Sequence, residues 1–137
     1  ERPVEDWLSA LVCDNLFQKT PFAWRKIEAW HTRPEEFVKR AAYALIACKA
    51  WHDKAASDDQ LIALFSILKA GASDPRNFVK KAVNWAIRNI GKRNFALNRA
   101  AIALSEDLLL IDDRTARWIA RDALRELQSS KMQARLK

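Results

Sequence analysis

The residues best placed to do chemistry sit together on one stretch, Asn77 to Lys92, which reads NFVKKAVNWAIRNIGK. Read as a helix at about 100° per residue from Phe78, its apolar members Phe78, Val79, Ala82, Val83, Ala86, Ile87 and Ile90 fall within one half of the wheel and form a core stripe. Trp85 lies outside that stripe at about 340°, beside Lys81 at about 300°, Arg88 at about 280° and Lys92 at about 320°. A large aromatic among three cations suits a polyanion that shows bases or sugars: the cations meet phosphates and the ring offers a stacking face. The competing reading is that Trp85 packs against a neighbouring helix, as tryptophans usually do.

Other candidate groups are sparse. Trp7 and Asp14 are seven residues apart, hence on one face of a helix, and a carboxylate beside a tryptophan could stabilise a cationic sugar centre; a solvated acid is the alternative for Asp14. Cys13 has no neighbouring histidine, and His31 and His52 show neither triad nor metal spacing. No metal or other cofactor is expected.

The positioning elements are legible from punctuation. Thr20-Pro21, Thr32-Arg33-Pro34 and Ser73-Asp74-Pro75 each set a capping side chain and a proline ahead of an apolar periodic run. Helices are predicted near 3–18, 21–31, 34–52, 58–70, 75–90, 94–109, 114–128 and 130–136, with Ser57 and Asp112-Asp113 opening two of them. Gly71 and Gly91 stand where left-handed residues would end a helix. Short connections between such helices leave no room for a sheet, and antiparallel neighbours follow.

The helices also resemble one another. Phe37-Val38-Lys39-Arg40-Ala41 recurs 41 residues later as Phe78-Val79-Lys80-Lys81-Ala82, and more faintly as Trp118-Ile119-Ala120-Arg121 after another 40. A period of about 40 with two helices per unit matches HEAT or armadillo repeats. The predicted fold is therefore an all-α superhelix of stacked antiparallel pairs, 21–52, 58–90 and 94–128. Arg40, Lys81 and Arg121 fall at equivalent positions, so the second helices would line them up along one surface. The plainer alternative to the repeat is an irregular helical bundle in which three helices look alike, and the plainer alternative for Arg40, Lys81 and Arg121 is that each bonds an interhelical carbonyl or acid within its own repeat. Trp24, Trp30 and Trp51 read as core or repeat-packing residues.

Composition agrees with one compact domain over residues 1–137: two glycines, four prolines and half the residues apolar in 137. No charge-free apolar run approaches 18 residues, so a soluble chain is expected, and one that is a piece of a longer protein. Cys13 and Cys48 could make at most one bridge, which is neither a disulfide framework nor a zinc signature, and a reducing, cytoplasmic setting is the default. The net charge of +7 is unevenly spread: residues 1–77 carry 11 Lys/Arg against 11 Asp/Glu, and residues 78–137 carry 13 against 6. That asymmetry suggests an anionic partner, though basic helical surfaces also serve solubility alone.

Asn15-Leu16-Phe17, Thr20-Pro21-Phe22-Ala23, Glu36 to Ala41, Asn77 to Asn94 and Arg117 to Leu127 together resemble the bacterial DNA alkylation repair family, the AlkD-like HEAT-repeat glycosylases. The run from 77 to 94 is the most specific part, and the match looks like the family's carboxy-terminal portion. The resemblance implies a basic concave surface that holds duplex DNA and a DNA glycosylase that removes N3- or N7-alkylated purines without needing to flip the lesion into a pocket. It implies that Trp85 contacts sugar and backbone, that Arg88 and Arg40 contact DNA, and that a carboxylate completes the site. Family members place that acid four residues after a tryptophan; here Leu11 stands four after Trp7, and Asp14 is the nearest acid, out of register.

Two functions of different class follow. One is hydrolysis of the N-glycosidic bond of an alkylpurine, with Asp14 and Trp85 as the catalytic candidates and Arg40, Lys81, Trp85, Arg88, Lys92 and Arg121 as DNA-binding ones. The other is a HEAT-type binding module for DNA or an acidic protein, without chemistry. Duplex DNA, no membrane and a monomeric state are the expected associations.

Overall fold

The computed structural model describes residues 21–136. Among them are eight helices and no strand: α1 (Pro21–Trp30), α2 (Glu36–His52), α3 (Asp58–Ile62), α4 (Phe65–Gly71), α5 (Asn77–Gly91), α6 (Phe95–Leu109), α7 (Arg114–Leu127) and α8 (Ser130–Leu136). The helix expected near 3–18 lies outside the described residues.

The helix starts follow local chemistry. Ser57 and Gln60 form a reciprocal capping box at α3, while the side chains of Asn94 and Asp113 accept from Leu97 and Ala116 to open α6 and α7. Pro34 and Pro75 precede α2 and α5 by two residues instead of occupying the first helical position. Before α5 the N-cap position is Arg76, without a side-chain cap; Asp74 instead folds the preceding turn, its carboxylate accepting from the Arg76 backbone at 3.1 Å and from the Arg76 guanidinium.

Two expectations are corrected. The helix predicted over 58–70 is broken into α3 and α4, because Leu64 N–H bonds back only three residues, to Leu61 at 3.1 Å. That tighter step keeps Leu61, Leu64 and Ile67 on one buried face. Nor do Gly71 and Gly91 adopt a left-handed conformation; no described residue has positive φ. They are the last residues of α4 and α5, and their role is close approach: a β-carbon on Gly71 would run into the Tyr43 ring and hydroxyl, and one on Gly91 would lie 2.5 Å from Leu127.

The pairing follows the predicted repeat. α1 packs on α2, α4 on α5 and α6 on α7, while α2, α5 and α7 also pack on one another in that order. The second helices therefore form one layer, and the fold is a HEAT-like stack of helix pairs. A continuous apolar core runs from Ile27 to Leu127. α2 is its centre, with every residue from Ala41 to Ala50 buried. Even Lys49 is inside; its ammonium meets the Asp53 carboxylate at 2.6 Å and lies 4.5 Å from the Trp24 ring centroid.

The stack is also laced by cations reaching across to the next aromatic. The Arg40 guanidinium on α2 lies 5.5 Å from the Phe78 ring on α5, and the Lys80 ammonium on α5 lies 4.6 Å from the Trp118 ring on α7. The repeated aromatic and basic residues thus serve packing between units as well as the surface.

Candidate nucleic-acid interface

α5 is fixed by its buried stripe, Val79, Ala82, Val83, Ala86, Ile87 and Ile90, as the wheel predicts, with Phe78 partly buried at its rim. Asn84 adds a polar anchor the wheel did not show. Fully inside, its amide nitrogen donates to the Ile119 carbonyl on α7 at 3.2 Å, and its oxygen accepts from Arg88 Nε at 2.8 Å. One side chain therefore ties α5 to α7 and orients Arg88.

With the helices so held, Arg40 and Ala44 of α2 and Phe78, Lys81, Ala82, Trp85 and Arg88 of α5 line a cleft of about 340 Å³. Four of the sequence candidates meet here: Arg40, Lys81, Trp85 and Arg88. No acid is among the lining residues. Lys81 is exposed at the surface, whereas Trp85 is half-buried, its indole packed partly against the core and partly facing the cleft. The wheel put it off the core stripe, with packing against a neighbouring helix as the alternative; the structure puts it at the border, touching both core and cleft.

Arg88 and Lys92 are not free cations. Glu126 on α7 takes Arg88 Nη1 at 3.1 Å and Lys92 Nζ at 2.9 Å, and Asp122 lies 4.0 Å from Arg88 Nε while also pairing with Arg125. Burial pushes the Glu126 carboxyl up, but the hydrogen bonds from Lys92 and Arg88 outweigh it and hold the group below its usual value. Arg88 is thus bonded across to the acids of the next repeat, which the sequence did not indicate. Arg121 is exposed on α7 and does not line this cleft. Asp14 lies outside the described residues.

Lys92 instead lines a second cleft, of about 470 Å³, with Ala50, Trp51, Lys54, Trp85, Asn89, Arg93 and Arg135. Trp85 borders both. Trp51, expected to pack, is 59% exposed. It stands in the last turn of α2 between the buried Ala50 and the half-buried His52, on the side that lines the cleft.

What these helices define is a helical-repeat protein whose second-helix layer carries a basic, tryptophan-bearing face. Residues 4–127 match the model of a family described as DNA alkylation repair enzyme, and the chain belongs to that family. No curated protein is similar enough to count as a match.

Proposed function

We propose that this protein is a DNA glycosylase that holds duplex DNA along α2, α5 and α7 and hydrolyses the N-glycosidic bond of N3- or N7-alkylated purines. The observation that carries the reading is the meeting of Arg40, Lys81 and Trp85 around one acid-free cleft in a chain of the DNA alkylation repair enzyme family. Arg40 and Lys81 take phosphates, with Arg88, Lys92 and Arg121 extending the basic track across α5 and α7. An alkylated purine is already cationic, so its departure with the bonding electron pair neutralises it. Water adds to the sugar carbon and gives up its proton, and the positive charge that develops on the sugar in between is what the site must stabilise. The indole face of Trp85 and a carboxylate, with Asp14 the nearest candidate by sequence, supply that stabilisation. No cofactor takes part.

We further assign the protein to the cytoplasm as a monomer of one HEAT-like domain; among the described residues no helix is long and apolar enough to cross a membrane. The test is incubation with methylated duplex DNA and chromatographic separation of free bases. Free 3- or 7-methylpurine released above the uncatalysed background is the expected result. Duplex binding without release would return the non-catalytic module.

A further inference from the structure

The second cleft has walls held in place by hydrogen bonds between α2 and the end of α5. Asn89 donates to the Ala47 carbonyl at 3.1 Å, and Arg93 donates to the Ala50 carbonyl at the end of α2 at 2.9 Å and to the Ala56 carbonyl in the connection to α3 at 2.5 Å. These bonds fix the α5 wall against the α2 wall. No acid lines the cleft, and no carboxylate among the described residues pairs with Lys54, Arg93 or Arg135. The Trp51 indole stacks on His52 with centroids 4.4 Å apart, yet leaves more than half its surface to solvent. An exposed indole beside Lys54 and Arg135 puts a stacking face and cations for a phosphate on one surface. The volume, about 470 Å³, falls within the roughly 300 to 1,000 Å³ of small-ligand sites.

We propose that this cleft takes one unpaired nucleotide of the bound DNA, its base against the indole of Trp51 and its phosphate on Lys54 and Arg135. The inference rests on the reading that the neighbouring cleft holds duplex, with which it is continuous through Trp85. A base needs an aromatic face more than a specific hydrogen-bond pattern, and the lining offers such faces with little else to read an edge.

The test compares two labelled duplexes that differ by a single unpaired 2-aminopurine nucleotide. The full chain should bind the bulged duplex about tenfold more tightly, the factor that one base–aromatic stack supplies, and the 2-aminopurine fluorescence should fall on binding. Trp51→Ala should abolish both effects while leaving affinity for the paired duplex unchanged, and Lys54→Ala should lessen the preference. Equal affinity for the two duplexes, or a preference that survives Trp51→Ala, would overturn the proposal with the duplex reading intact. Failure to bind either duplex would overturn the duplex reading itself, and this inference with it.

Discussion

Trp85 touches the core with one part of its ring and borders two basic clefts with another, so its removal has two separable consequences. Trp85→Ala should cost less than the about 3–5 kcal/mol of a fully buried tryptophan, while duplex affinity drops clearly; a thermal melt beside a DNA titration reads both. Lys81→Ala should leave the melt unchanged and lessen the salt slope of binding by about one unit, as one phosphate contact is lost. Glu126 acts in the opposite direction, because it occupies Arg88 and Lys92. Glu126→Gln should raise duplex affinity about two- to fivefold at low salt, the scale of a surface ion pair; an affinity no higher than the parent's would show that those two cations face no DNA. The wheel made Trp85 and Lys81 legible, since both depend only on the angular spacing of one helix. Glu126 and Asn84 were not, because they tie α5 to another repeat 34 to 38 residues away. Trp51 was misread because burial at a helix end depends on where the neighbouring helices stop.

At the scale of elements, caps and repeat period were readable because they are local or recur in the chain, whereas the reasons for the glycines lie in contacts between helices. Alanine in place of glycine ordinarily favours a helix by about 1 kcal/mol, but Gly71→Ala would push into the Tyr43 ring, and overpacking of this kind typically costs about 1–3 kcal/mol. The variant should melt below the parent; melting at or above it would contradict the packing account of α2 against α4. The junction into α5 carries a pH signature. Hydrogen bonding from Arg76, opposed by burial and helped by Lys39, holds the Asp74 carboxyl well below the usual carboxylate range. The folded chain therefore keeps this group ionised where the unfolded chain has begun to protonate it, so the stabilisation is complete above about pH 4 and is lost as the pH falls below that. Asp74→Asn should melt below the parent at pH 7, and the gap should narrow on acidification toward about pH 2. A gap that stays constant with pH would show that the Asp74 charge contributes nothing.

Over the whole molecule, the carboxy-terminal excess of positive charge and the common layer of second helices both fit the function we propose, a helical stack whose cations would meet a DNA backbone and whose indole would meet its sugars. The charge excess and the repeat were visible in the sequence; the partial neutralisation of α5 by α7 acids and the second cleft beside Trp85 required the packed structure. Phosphate contacts release counterions, so binding that depends on Arg40 and Lys81 must weaken as salt rises. The most direct measurement is titration of a labelled duplex with the parent and with the Arg40→Ala, Lys81→Ala double variant across roughly 50 to 200 mM salt. The account expects a steep loss of affinity for the parent, little dependence on base sequence, and a slope lower by about two units in the double variant. Salt-independent binding, or parent and double variant with the same slope, would contradict it.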